Sequence, residues 1–186
     1  MRTVAIALVH HPVLDAKKQI VTTAITNLDV HDLARSARTY GCTDYYLVHP
    51  IDAQRELALR ITSHWLEGSS GKRIPDRKEA LALVRTEPSL EAVFARMGGR
   101  DAIEVWVTAA RNVAPPITLR DARGRLEGEG KPVLILFGTG WGLAPEVIAS
   151  ADQTLSPINA AHATGYNHLS VRAACAIMLD RLLGGD

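Results

Sequence analysis

Three features of this chain could do chemistry together: a cationic side chain, a titrating imidazole and a run of bare backbone. Arg35 is the first. Free arginine has a pKa above about 12, so it is a poor base but a good fixed charge, able to steady a developing oxyanion or grip a phosphate with two bonds. Asp29 and Asp32 lie one helical turn apart just before it and are candidates to orient it; a solvated helix start explains them equally well. Arg38, one turn beyond, would add phosphate contacts. His168 is the candidate proton acceptor, since an open imidazole titrates at about 6.5. Gly138-Thr139-Gly140-Trp141-Gly142 is the bare backbone, where a ligand can reach amides and carbonyls that side chains would otherwise cover. A side chain at position 140 would fill that turn.

These residues need elements to hold them. Val133 to Phe137 is a continuously apolar run that empties into the glycine turn, as a buried strand does. Further strands are predicted at 3–9, 45–48, 103–107 and, briefly, 153–155. Helices are predicted at about 29–40, with Val30, Leu33, Ala34 and Ala37 on one face and a stop at Gly41. Others follow at 52–67, 76–85, 89–97, 144–150 and 169–183, with Pro88 parting the third from the fourth. Residues 15–25 read as a short helix or turn, and 68–71 as a flexible loop. Pro115-Pro116 starts a short helix, and 120–131 reads as an exposed loop. Strands alternating with helices, most of them apolar throughout, predict an α/β fold with a mostly parallel sheet covered on both faces.

With 186 residues the chain suits one domain, taken as 1–186, and is too short for two ordinary ones. Its 47% hydrophobic and 22% charged content is that of a soluble globular protein. No apolar run approaches the roughly 20 residues that cross a bilayer, and the opening segment reads as a strand and not a signal peptide. The expected compartment is the cytoplasm, with no membrane partner. A net charge of +1 excludes a strongly basic nucleic-acid binder, so any RNA contact needs a local cluster or a surface assembled by an oligomer. Cys42 and Cys175 form no CxxC pair and read as small buried hydrophobes. No His/Glu cluster has metalloenzyme spacing, so no metal is expected.

The glycine turn fits the common nucleotide signatures poorly. The dinucleotide fingerprint requires a third glycine where Leu143 or Ala144 stands, and no Gly-Lys-Ser/Thr follows for a triphosphate loop. Instead, Leu136 to Leu143, Ile158-Asn159, and Asn167-His168-Leu169-Ser170-Val171-Arg172-Ala173-Ala174 resemble two motifs of the SPOUT superfamily of RNA methyltransferases. Asp29 to Gly41 resembles the N-terminal motif of its SpoU-like branch, with Arg35 falling on the functional arginine. The chain departs from that pattern at Asp29 and His168, which stand for asparagines, and at Thr139, which stands for a glutamate.

The resemblance implies a C-terminal trefoil knot holding S-adenosylmethionine, and a homodimer whose second subunit completes the site. Its cofactor slot would comprise Thr108, Ala109, Phe137, Gly138, Thr139, Gly140, Gly142, Leu143, Ile158, Asn167, Leu169 and Ser170. Arg35, Asp29 and His168 would be the catalytic group. The implied activity is methylation of tRNA or rRNA, first at a ribose 2′-hydroxyl. Guanine N1 is the alternative, with Asp29 or Asp32 as base. A knotted RNA-binding or ribosome-associated module without chemistry is the rival from another class, and a small-molecule methyltransferase also stays open. His64-Trp65, Lys72-Arg73 and Arg111-Asn112 are possible RNA contacts. His10-His11-Pro12 ends the first strand at the edge where open α/β sheets bind ligands.

Overall fold

The computed structural model describes residues 1–111, 115–162 and 165–185. In chain order the elements are β1 (Val4–Val9), β2 (Val13–Leu14), β3 (Ile20–Val21), α1 (Asn27–Thr39), β4 (Tyr45–Val48), α2 (Asp52–Leu66), α3 (Ser69–Arg73) and α4 (Pro75–Leu81). They continue as β5 (Val84–Glu87), α5 (Leu90–Arg96), β6 (Glu104–Val107), α6 (Leu119–Glu127), β7 (Val133–Gly138), α7 (Pro145–Ala149), β8 (Gln153–Thr154) and α8 (Val171–Leu183). Six strands form one parallel sheet in the order β5-β4-β1-β7-β6-β8.

The two faces are sorted by strand alternation. Val4, Ile6 and Leu8 of β1 join Val133, Ile135 and Phe137 of β7 beneath α1, α2, α4, α6 and α8. Ala5, Ala7 and Val9 face the other way, with Leu134 and Leu136, toward α5, α7 and the segment around Val13. A sheet covered on both sides explains why β1 and β7 read as unbroken apolar runs. Cys42 and Cys175 are buried in the first of these cores, where burial pushes the Cys42 thiol up to about 12.

Four local readings are corrected. Residues 15–25 hold no helix: Val13–Leu14 and Ile20–Val21 pair as an antiparallel hairpin, closed by Asp15 accepting from the Lys17 and Gln19 amides. The 68–71 loop is instead the start of α3, with Ser70 and Gly71 buried. The helix expected over 76–85 ends at Leu81, and Val84–Glu87 is an edge strand pairing with β4. The run Leu81-Ala82-Leu83-Val84 is apolar under either period, and only pairing with β4 separates helix from strand. The expected loop at 120–131 is largely α6, which begins at the Thr118 cap and not at Pro115-Pro116. Thr118 Oγ1 accepts from the Asp121 amide, and Ala122 and Leu126 anchor the helix in the core.

Strand order locates the crevice. From the β1/β7 boundary, β4 and β5 extend one way and β6 and β8 the other. Carboxyl ends at such a reversal are where open parallel sheets receive ligands. Here they are His10, after β1, and the glycine turn, after β7.

Candidate active site

The glycine turn is clamped by the β2-β3 hairpin. The Trp141 amide donates to the Leu14 carbonyl (2.9 Å), the Leu14 amide to that of Gly142 (2.9 Å), and the Ala144 amide to that of Pro12 (3.1 Å). Gly140 sits at φ +59° and Gly142 at φ +107°, a region that glycine enters at little cost. A Cβ on Gly140 would stand 2.8 Å from the Leu14 carbonyl oxygen, whereas one on Gly142 would meet nothing within 4 Å. Gly140 is thus bare because the hairpin is there, and Gly142 faces open space.

A polar chain ties this turn to β1. The Thr139 hydroxyl donates to the Val9 carbonyl (3.1 Å) and shares a 2.5 Å bond with the Thr23 hydroxyl. With its one proton committed to Val9, Thr139 accepts from Thr23, and Thr23 in turn accepts from His10 Nδ1 (2.9 Å). His10 is therefore the neutral Nδ1–H tautomer. His49 lies beside it, ring centroids 5.6 Å apart, with its Nε2 on the Thr23 carbonyl (2.9 Å). The position where the SpoU-like pattern has glutamate thus carries the last link of a histidine–threonine network that sequence reading did not foresee. The pairing of β1 with β7 brings residues 10 and 139 together, and the Thr23 amide, donating to the His10 carbonyl (3.0 Å), adds residue 23.

Burial and the neighbouring His49 lower the His10 pKa from 6.5 to about 4, against a smaller opposing pull from Asp29. Burial lowers His49 and His31 in the same sense. Between the two values the unfolded chain binds the extra proton, so stability falls as the pH drops from 6.5 toward 4. The full His10 contribution is about 3 kcal/mol. Urea midpoints of wild type and His10→Asn taken through that window should diverge, with the wild type losing more. Parallel curves would remove His10 from the acid response.

The remaining predicted residues divide between two regions. Ser170 caps α8 by accepting from the Ala173 amide (3.2 Å), and Asn167 Nδ2 donates to the Ala110 carbonyl (3.4 Å) and to Asn159 Oδ1 (3.2 Å). The approach to α8 is thereby held beside Thr108 and Ala109, at the end of β6. Phe137 and Leu143 are buried, Ile158 packs on the core, and Leu169 is exposed. His168 is exposed beside the rings of Trp141 and Tyr166, away from the groove that holds Arg35.

Arg35 projects from α1 into a groove of about 540 Å³ between α1 and α8, lined also by Asp32, Tyr40, Ser170 and Arg172. It is exposed and makes no ion pair or hydrogen bond among the described residues. The two aspartates turn to Arg172 and not to Arg35. Asp29 Oδ1 lies 3.1 Å from Arg172 Nη1, and Asp32 Oδ2 lies 3.5 Å from its Nε. Asp29 is buried, caps α1 with Thr26, and locks α1 to α8; Tyr40 and Asp180 close the other end (3.0 Å). A carboxylate so placed is poorly suited to taking a proton from an external substrate.

The outlying candidates are mostly spoken for. Arg38 pairs with Glu79. His64 bonds Ser70, and Trp65 lies beneath the Arg77 guanidinium at 5.0 Å. Arg73 also reaches Ser70, while Lys72 is exposed. Arg111 is exposed, and Asn112 lies outside the described residues. Among the described residues no group of three His, Cys, Asp or Glu side chains could hold a metal, and no helix is long and apolar enough to cross a membrane.

A parallel sheet with a glycine turn after β7 and a capped final helix beside it completes an α/β fold with its open crevice at the carboxyl ends of β1 and β7. A family described as SAM-dependent RNA methyltransferase matches residues 3–184, and the chain belongs to it. It is 42% identical over 188 residues to the tRNA (guanine-N(1)-)-methyltransferase of Nitratidesulfovibrio vulgaris, covering 98% of this chain and 42% of that relative. The chain thus spans less than half the length of the curated relatives that it matches first. Among solved structures, TrmJ from Z. mobilis ZM4 aligns with TM-score 0.62 at 22% identity, covering 96% of this chain and 67% of that one. The TrmH/SpoU tRNA modifying enzyme of A. aeolicus aligns with TM-score 0.59 at 11% identity, covering 98% and 75%. At these identities the structural likeness speaks for the fold.

Proposed function

We propose that this protein transfers a methyl group from S-adenosylmethionine to a ribose 2′-hydroxyl of tRNA or rRNA. The observation that carries the reading is the meeting of Asn167 with Ala110, which sets the capped start of α8 beside the β6 loop, in a chain whose glycine turn leaves Gly142 open. A C-terminal trefoil knot is part of the proposal, supported by the bond that ties Asn167, just before α8, to Ala110 after β6. One domain and a homodimer complete the proposal; a dimer would gather enough cations to hold RNA on a chain of charge +1.

The residues present fit the cofactor. The open backbone at Gly142, in a turn whose Gly138 and Gly140 are packed against Leu143 and Leu14, the Leu143 and Ile158 side chains, Leu169, and the polar groups of Thr108, Asn167 and Ser170 would hold it, with Ala109 and Phe137 behind. When bound it supplies an electrophilic methyl on sulfur. What the chain must add is orientation, exclusion of water and a means of bearing charge on the acceptor oxygen. Arg35 bears it, as a fixed cation on an open groove that also contains Ser170 at the head of α8. His168, exposed outside that groove just before α8, would receive the proton at an imidazole nitrogen, with the second subunit of the proposed dimer bringing an Arg35 to the same acceptor.

The Nitratidesulfovibrio name favours guanine N1 as a second reading. That name describes a protein of which more than half lies outside the match. An aspartate base would be required; Asp29 is committed to Thr26 and Arg172, which leaves that role to Asp32, in the Arg35 groove 3.5 Å from Arg172 Nε. Incubating the purified protein with S-adenosylmethionine and unmodified tRNA and rRNA, then analysing nucleosides by mass spectrometry, should yield one ribose-methylated nucleoside. 1-Methylguanosine would establish the second reading, and an unmethylated RNA would leave a binding module.

A further inference from the structure

The chain has two phenylalanines, three tryptophans and four tyrosines. Of these nine rings only Trp141 and Tyr166 are largely exposed, at 62% and 74%. Large aromatics scattered singly on a surface need no explanation, but these two are not scattered. Both stand against the exposed imidazole of His168. Trp141 meets it edge-on, centroids 6.4 Å apart and planes at 88°, and Tyr166 lies 6.2 Å away, tilted by 34°.

The exposure of Trp141 is built in. Its amide is fixed to the Leu14 carbonyl and the next residue's carbonyl to the Leu14 amide, while flanking glycines at φ +59° and +107° set the chain direction. The main chain is held from the hairpin side, and the ring stands on the outer side. Cations lie on the two segments bonded to the patch. Lys17 and Lys18 occupy the exposed turn of the same hairpin and form no ion pair among the described residues. Arg111 follows Ala110, whose carbonyl receives the Asn167 amide between Tyr166 and His168.

We propose that Trp141 and Tyr166, braced against His168, form a platform on which unpaired bases of the RNA stack, with Lys17, Lys18 and Arg111 holding the backbone beside them. The platform rests on the reading of the protein as an RNA methyltransferase, and it narrows the substrate to a single-stranded loop. A duplex hides the faces of its bases, whereas an unpaired nucleotide offers them to aromatic rings whatever its sequence. The site adjoins the glycine turn, because Trp141 is part of that turn.

The test uses the full chain and a short fluorescein-labelled RNA of mixed sequence, single-stranded or annealed to its complement, followed by anisotropy over a range of salt. Wild type should prefer the single strand. Trp141→Ala and Tyr166→Ala should each weaken that binding about tenfold, the scale of one lost base–aromatic stack, with unchanged thermal midpoints. Stacking releases no counterions, so their salt slopes should match wild type, and Trp141→Phe should retain most of the affinity. Replacing Lys17 and Lys18 by alanine should instead flatten the slope, by about 0.7 for each phosphate no longer neutralised. Single-strand affinity that survives both aromatic truncations overturns the platform while leaving RNA binding intact. So does a Trp141→Ala variant that loses S-adenosylmethionine affinity by calorimetry but keeps RNA, since the ring would then belong to the cofactor. A change in the sedimentation of the free Trp141→Ala protein would make the patch an interface between copies. If wild type binds neither RNA, the functional reading fails and the platform with it.

Discussion

Replacing Arg35 by alanine should lower the methyl-transfer rate at least about a hundredfold while leaving S-adenosylmethionine affinity within a few-fold of wild type. The size follows from the loss of one preorganised charge at a developing oxyanion, which typically costs a factor of about 100 to 1,000. The split between rate and affinity follows from position. Arg35 lines the α1–α8 groove with Asp32, Tyr40 and Arg172, whereas the glycine turn lies at the end of β7. Its guanidinium has no intramolecular partner among the described residues, so truncation leaves no buried charge unpaired and the fold should survive. Arg35→Lys should recover part of the rate if a bare charge suffices, and little if a bidentate grip on phosphate is needed. Single-turnover kinetics alongside calorimetry read both quantities. Unchanged turnover in the alanine variant would take Arg35 out of the mechanism.

Gly140→Val should abolish cofactor binding, by a route the sequence did not reveal. The expectation from sequence is that valine fills the turn from within. In the structure its Cβ would instead stand 2.8 Å from the Leu14 carbonyl oxygen, which already accepts the Trp141 amide, and its φ of +59° excludes a β-branched residue at low cost. Relief requires the hairpin to withdraw or the turn to unwind, and the Leu14–Gly142 and Pro12–Ala144 bonds would break with it. The variant should therefore show both a depressed thermal midpoint and no heat of S-adenosylmethionine binding. Normal binding with a normal midpoint would place the cofactor elsewhere.

The two substitutions differ in how legible they are in the sequence. Arg35 is readable because its chemistry is a property of residue type and helical spacing, both written in the chain. The strands β1, β4 and β7 are readable for a similar reason, since continuous apolar runs have one stable destination in a sheet covered on both faces. β5 is not, because the stretch from Leu81 to Val84 satisfies either period until β4 supplies its hydrogen bonds. The helix α6 is hidden by its charges and by Gly124; its stability comes from Ala122 and Leu126 docking on the core, which local propensity does not record.

Residue types and their periods thus determined the α/β class, the glycine turn, the final helix and the cation at Arg35. Partnerships across the chain were decided by tertiary structure alone. Asp29 was a candidate base until folding placed Arg172, 143 residues away, against it. Thr139 was a departure from a motif and a candidate in the cofactor slot until the β1–β7 register brought Val9 and Thr23 within reach of its hydroxyl. Local sequence sets what a side chain can do, because pKa, donors and backbone freedom belong to the residue. What it does depends on which distant group shares its burial, and that is fixed only when the sheet closes its register.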